Sequence, residues 1–445
     1  MPLDRGVGPG FWGGSPLPRT VKKRASCQSG ELVLFMDESQ FHDTLRLLYT
    51  RRQISRAGLA QELNLVPSYV SLIVRNLIDK GLVCERGVAP SSGGRPGKLL
   101  QVNPELAHLV AVDIGTVNCR IAVTDFLGEV LAFKRFRSKA EDGPEPLLCL
   151  IHDEIHSYRR QFPRILAVGV AQSGVIDRAT GTLLFWPKVG GWHDVPLKAM
   201  MEREQRLPTI VEDSARTMAV SEQTFGQGRG LANFVHVLVG SGIGSTIFVN
   251  GELYIGSSGL AGELGHTTID ENGPLCSCGN RGCLEVYSSG WAIIKRVRAA
   301  LSDGVASTLS KVVAEHPEEL SLEMIVSAGK SGDRLSQTVI SEAGTHLGTA
   351  LAGLVNLLNP EKIILGGSVP RAAREMLLDP LLYFLRGRAF QKSVSATDIV
   401  ISELDDKASA LGVAVMLAKE LLGRLCTERL QTEPAGAEEA HLPLY

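Results

Sequence analysis

His266–Cys283 reads HTTIDENGPLCSCGNRGC, and it places one histidine and three of the chain's eight cysteines within eighteen residues. The spacing Cys276-x-Cys278-x4-Cys283, with His266 upstream, offers four soft or borderline ligands. Such a set suits tetrahedral zinc better than magnesium or calcium, which prefer oxygen. Gly273, Pro274, Gly279 and Gly282 let the loop fold tightly about an ion. With all four positions filled by protein, no place is left for a metal-bound water. The expectation is therefore one structural Zn2+ per chain on His266, Cys276, Cys278 and Cys283.

The rest of the composition bounds the setting. With 445 residues, 44% hydrophobic and 21% charged, the chain reads as globular, with two or three domains. A net charge of −2 favours no partner class when taken over the whole chain. Few, unevenly spaced cysteines argue against a disulfide scaffold and for a reducing cytoplasm. No apolar run reaches the roughly 18–20 residues that a membrane span needs, so no membrane partner is expected. Residues 1–38 are rich in Gly, Pro and basic side chains without an apolar h-region; they read as a disordered extension rather than a secretory signal. Residues 426–445 read as a flexible tail.

Upstream, residues 39–104 have the plan of a winged helix-turn-helix. Phe41, Leu45 and Leu48 recur at helical spacing. Ser55 is placed to cap RAGLAQEL, and a short break leads into PSYVSLIVRNLIDKG. In that second helix Val70, Ile73, Val74, Leu77 and Ile78 line one face, Pro67 sits in the first turn and Gly81 closes it. LVCERG and KLLQVN then read as two strands around the loop APSSGGRPG, a wing. Between Arg51 and Lys98 eight Lys/Arg face three acids, a sign that suits a phosphate backbone. Ser68, Tyr69 and Ser71, with Arg75 a turn later, are the candidates for base edges. Arg95 and Lys98 are the candidates for backbone or minor groove. Operator DNA is thus the expected partner, and two half-sites imply a homodimer or higher homo-oligomer.

Residues 107–425 alternate strands and helices. HLVAVDIGTVNCRIAVTDFLGEVLAFKRF reads strand, Gly turn, strand, tight turn, strand, and NFVHVLVGSGIGSTIFVNGELYIG repeats the unit. The pattern predicts an α/β domain of two similar lobes with a cleft between them. The glycines at 240–244 and 366–367 could cradle phosphates, or could simply serve tight turns.

The zinc loop lies inside GLAGELGHTTIDENGPLCSCGNRGCLEVYSSG, which resembles the signature of the ROK family of sugar-responsive repressors and sugar kinases. The resemblance runs from about residue 40 to 425. It includes the front module, DIG, GSGIGS and NPEKIILGG, and it is similar to repressors of the xylose and N-acetylglucosamine type. It implies an actin-like, hexokinase-type fold with a small carbohydrate or sugar phosphate bound in the cleft. The family's sugar-contacting residues fall on Glu263, His266 and Glu285, with Asp213 beside them.

The chain departs from a family kinase in several places. Where the kinase motif Asn-Asp-Ala-Asn is expected, it reads VEDSAR. Ungapped, Asp213 takes the asparagine position and Ser214 that of the catalytic base. A one-residue shift would return Asp213 as the residual catalytic candidate. Asp113-Ile114-Gly115-Thr116-Val117 is one glycine short of the phosphate turn, and SGVID and WPKVGGW depart on the sugar side. Phosphoryl transfer depends on positioning and electrostatics, so these changes point to binding without catalysis. The sequence reading is a sugar-responsive repressor of carbohydrate-metabolism genes. The alternatives are an active ATP-dependent sugar kinase carrying a DNA-binding head, and a DNA-binding protein whose vestigial domain answers to a protein partner.

Overall fold

Three short helices open the structure, a computed structural model that describes residues 38–88, 97–187 and 189–431. The N-terminal extension to residue 37, the wing loop 89–96 with Arg95, Lys188, and residues 432–445 lie outside the described residues. Helix α1 (Glu38–Arg51) buries Phe41, Leu45 and Leu48. Helix α2 (Arg56–Leu63) starts where the Ser55 hydroxyl accepts the Gly58 N–H at 3.1 Å. Helix α3 (Pro67–Asp79) buries Val70, Ile73, Val74 and Leu77, while Ile78 is only half-buried. Strand β1 (Ile54–Ser55) pairs with β3 (Lys98–Val102), and β3 pairs with β2 (Val83–Val88), giving a three-stranded antiparallel sheet.

Two five-stranded sheets follow, built to the same plan. In the first, β4 (His108–Ile114), β5 (Asn118–Thr124) and β6 (Val130–Arg137) form an antiparallel meander. Strands β7 (Ile165–Gln172) and β11 (Thr209–Asp213) extend it in parallel, in the order β11-β7-β4-β5-β6. Between them a small antiparallel sheet is made by β8 (Val175–Asp177), β9 (Thr182–Phe185) and β10 (His193–Val195). The second sheet repeats the arrangement with β12 (Phe234–Val239), β13 (Ile243–Val249), β14 (Glu252–Tyr254), β15 (Lys362–Gly366) and β16 (Asp398–Ile401). Buried valine, isoleucine and leucine run along the central strands, as expected where helices cover both faces.

The helix Ser214–Phe225 leads from the first sheet to the second, and the C-terminal helix Ala408–Gln431 packs against it and against β4 and β7. That last helix runs six residues into the segment expected as tail from residue 426. Cys426 is fully buried on it, and its end has a partner. Lys80 donates from Nζ to the Arg429 carbonyl at 2.6 Å, and Arg429 returns a bond to the Lys80 carbonyl at 2.7 Å. Each basic side chain thus satisfies an end carbonyl of the other helix. Tyr49 stands edge-on to Phe126 at 6.2 Å, and Arg52 donates to the Leu127 carbonyl at 2.8 Å. The chain from Ser39 onward therefore packs as one unit, with the helical head seated on the α/β body.

In the second lobe, the helix Arg334–Leu358 crosses Arg374–Arg388 at glycines. A methyl on Gly348 would stand 2.3 Å from the Leu381 carbonyl oxygen, and one on Gly344 would stand 2.5 Å from that of Leu377. Backbone cannot yield as a side-chain end can. Gly348→Ala is expected to cost about 1–3 kcal/mol, seen as a lower thermal midpoint. An unchanged midpoint would show that the two helices can separate freely.

Candidate functional site

The Cys/His loop folds on itself through two isolated antiparallel bridges, Thr268 with Cys283 and Leu275 with Arg281. The Cys276 N–H donates to the Asn280 carbonyl at 2.7 Å, and that of Gly279 to the Cys276 carbonyl at 3.0 Å. Gly282 has φ +63°, and a methyl there would overlap the Asp270 carbonyl oxygen, so only glycine closes the loop. The result brings His266, Cys276, Cys278 and Cys283 together, with one ligand atom of each within 4.8 Å of the others. His266 presents Nδ1 to Cys276 Sγ at 3.7 Å, and Cys278 Sγ lies 3.7 Å from Cys283 Sγ. Burial, with the neighbouring Cys278 and Cys276, pushes the Cys283 thiol up to about 12. In Cys278, burial is outweighed by bonds from Asn280 and the adjacent sulfurs, which hold its thiol below the usual range. This donor set could hold a metal ion.

The same loop is moored to the start of β13. Ser245 donates both its N–H and its hydroxyl to the Gly262 carbonyl, at 2.9 and 2.8 Å. A methyl on Gly262 would come within 2.0 Å of the Ser245 carbonyl oxygen, so Glu263 rides on a segment pressed flat against that strand. From the other side Glu285, buried, accepts the Ile243 N–H at 3.0 Å. Glu263 itself is exposed and His266 half-buried. Ser245 thus holds the segment that leads into Glu263 and His266, and Glu285 reaches the neighbouring Ile243.

Across from them, β11 ends at Asp213, which caps the helix Ser214–Phe225 by accepting the N–H groups of Ala215 and Arg216 at 2.9 and 3.2 Å. Burial pushes the Asp213 carboxyl up to about 6, Arg216 opposing and Glu212 adding to the rise. Ser214 is the first helical residue and is buried. Arg216 was not singled out in the sequence, although it stands where the kinase motif repeats asparagine. It donates to Glu212 at 3.2 Å and to the Gly259 carbonyl in the loop leading to Glu263, so it joins the two lobes. Arg178 completes the group at 2.8 Å from Glu212, whose side chain is 3% exposed.

At the altered phosphate turn, both oxygens of Asp113 are engaged. Ser409 donates to one and Arg120 to the other, each at 2.8 Å. Arg120 also meets Asp406 at 3.4 Å, and Arg135 meets Asp406 at 3.1 Å. Burial holds Asp113 above the usual carboxylate range, with Arg120 and Ser409 opposing the rise. In the head, Ser68, Ser71 and Arg75 are exposed on α3 and Tyr69 is half-buried. Lys98 is paired with Glu85, which Arg56 also meets at 2.8 Å. No helix among the described residues is long and apolar enough to cross a membrane.

Comparison with known proteins follows this geometry. A family model described as ROK family matches residues 109–420. A xylose repressor of Caldicellulosiruptor bescii is 31% identical over 382 residues, covering 85% of this chain and 95% of the relative. Among solved structures, a ROK family transcriptional regulator described as a homolog of the E. coli MLC protein superposes with a TM-score of 0.73 at 29% identity. That match covers 89% of this chain and all of the other. A ROK family glucokinase from Streptomyces griseus, solved with glucose and AMPPNP, superposes with a TM-score of 0.61 at 26% identity. It covers 70% of this chain and 99% of its own. The family match reaches from β4 into the C-terminal helix, across both five-stranded sheets and the Cys/His loop between β14 and β15: the chain belongs to the ROK family.

Proposed function

We propose that the chain is a sugar-responsive transcriptional repressor that binds operator DNA through a winged helix-turn-helix and binds its effector without phosphorylating it. The observation that carries this is what the matches cover. The regulator structure aligns with 89% of the chain, whereas the glucokinase, at nearly full length, accounts for only 70%. The head built by α1–α3 and the β2–β3 hairpin lies before residue 109, where the family match begins.

The body supports binding over transfer. A kinase needs its phosphate-turn aspartate available to the nucleotide and its metal; here Asp113 is taken by Ser409 and Arg120. The base position falls on Ser214 or on Asp213. Serine near its ordinary pKa cannot accept the sugar proton unaided, and the Asp213 carboxylate caps a helix. An active kinase would instead consume ATP in a coupled assay over a sugar panel.

The metal in this reading is zinc. The 3.7 Å separations of Cys276 from His266 and of Cys278 from Cys283 are close to the edge, about 3.8 Å, of a tetrahedron with bonds of about 2.3 Å. A zinc ion there would fix the loop and do no chemistry. With Nδ1 toward the cysteines, the other nitrogen of His266 is the one that can meet a sugar hydroxyl, beside carboxylates from Glu263 and Glu285. The effector, a small carbohydrate or sugar phosphate, would favour one closure angle of the lobes. Two heads in a homodimer would feel that angle through residues 103–108 and the C-terminal helix.

Elemental analysis of protein purified without chelator should find one zinc per chain. Cys278→Ser should lose it and weaken effector binding with it. Less than about half an equivalent in the parent would remove zinc from the scheme. In the head, Tyr69→Ala should change which sequences are preferred. Lys98→Ala should weaken binding to all sequences and lower the salt slope by about one. If both variants match the parent on operator and random DNA, α3 and the hairpin are not the DNA face. Glu263→Ala should abolish the sugar response and leave sugar-free operator affinity near that of the parent. Operator titrations with and without sugar decide this, and an unchanged response would place the ligand elsewhere.

A further inference from the structure

The core stripe of α3 is complete without Leu72. Val70, Ile73, Val74 and Leu77 are at most 1% exposed and lie together on one side of the helix. Leu72 falls roughly 150° round from the middle of that stripe, at about 100° per residue, and it is 41% exposed. Its neighbours on the outer side are Ser68, Ser71, Arg75 and Asp79, all exposed. A single exposed leucine on a protein surface is ordinary. This one stands within the stripe that the second helix of a helix-turn-helix turns toward the major groove, where an exposed side chain faces base edges.

The hydrogen bonds and ion pairs of the head narrow what each member of the stripe can do. The Ser71 hydroxyl donates to the Pro67 carbonyl at 2.8 Å, inside its own helix, so toward a base it can only accept. Arg51 is paired with Glu62, Arg56 and Lys98 with Glu85, and Arg46 with Glu252, whereas Arg75 meets no carboxylate among the described residues. Asp79 closes the stripe with a charge that phosphates repel, which leaves the turns from Ser68 to Arg75 as the part that can enter a groove. Leu72 lies inside that part, one turn before the unpaired guanidinium.

We propose that Leu72 reads sequence by packing on the C5 methyl of a thymine in the operator, beside the base edge that Arg75 meets. Leucine carries no donor or acceptor, and the thymine methyl is the apolar group that a base pair presents in the major groove. Another base at that step would set a polar edge against the leucine and lose its water without a replacement. Arginine most often takes the O6 and N7 of guanine, so the two side chains divide the stripe between an A·T pair and a nearby G·C pair. The inference rests on the repressor reading and names a feature of the DNA that the head recognises.

The test is binding of the full-length chain to an operator that the parent protein has selected from random duplexes. Each thymine of that operator is replaced in turn by deoxyuridine, which removes the C5 methyl and leaves every hydrogen-bonding atom in place. At one thymine, or at its symmetric pair, the parent is expected to lose about fourfold in affinity, the effect of one buried methylene-sized group. Leu72→Ala should bind the thymine operator more weakly and no longer respond to that uracil. Leu72→Met, which keeps an apolar tip, should still respond. The thermal midpoint of both variants should match the parent, because the side chain is exposed. A selected operator without thymine, a parent indifferent to every uracil, or a Leu72→Ala protein that responds to uracil as the parent does would each overturn the proposal. A parent that binds its operator tightly but ignores every uracil would sink this role of Leu72 and leave the repressor reading standing. If no duplex is bound above random DNA, both fall.

Discussion

Three thiols and an imidazole with ligand atoms inside 4.8 Å are a crowded arrangement, and the two buried thiols, Cys276 and Cys283, need partners as good as the water they left. In this chain the cost is confined to one loop whose own backbone is well bonded: two bridges, the Cys276 and Gly279 turns, and a glycine at 282 that nothing else could replace. The placement of His266 and Glu285 depends on that loop. It fixes His266 directly, it delivers Glu285 onto the Ile243 N–H, and it follows the segment that Ser245 holds at Gly262. In the proposed reading, where these side chains meet an effector, a wall that could shift by an ångström would recognise little.

The two lobes are copies in topology but not in what they carry. The first meander carries the Asp113–Arg120 pair across β4 and β5, where charges are matched inside the protein. In the second, the first residues of β13 receive Gly262 and Glu285. Arg216 and Glu212 lie between, tying the helix after β11 to the Gly259 carbonyl. A charge taken out of water this far must be paired, and here each guanidinium has its carboxylate or carbonyl. The asymmetry is that of a repeated fold whose first half pairs its charged groups internally while the second carries the Cys/His loop.

Much of this was legible in the sequence because it depends on short-range patterns. The repeated strand-turn-strand unit gave both meanders, and Ser55, Pro67 and the 70, 73, 74, 77 spacing gave the head helices. The Cys/His cluster was readable because its four residues lie within eighteen residues of sequence. What could not be read was what the chain joins across long distances. Ser409 meets Asp113 across 296 residues and Arg429 meets Lys80 across 349, and no periodicity announces either. The end of the last helix was misjudged for the same reason: residues after Cys426 look like a polar tail until the head gives them a partner. Arg216 is a different case. It stood in plain view as a departure from the kinase motif, but the motif directs attention to the base and not to the residue two places on.

Those two long-distance bonds lie at opposite ends of one helix. Ser409 sits in the first turn of Ala408–Gln431 and Arg429 in the last, with about 30 Å of continuous helix between them at 1.5 Å per residue. A packed helix of this kind does not bend gradually; it shifts as a body or stays. The phosphate-turn end of the body and the C-terminal end of α3 are therefore held by the same rigid part. A ligand can alter DNA affinity only through contacts that differ between the two states of the protein. This helix touches Asp113 at one end and the carbonyl of Lys80 at the other, so any relative movement of the first lobe and the head must break or re-make one of those bonds.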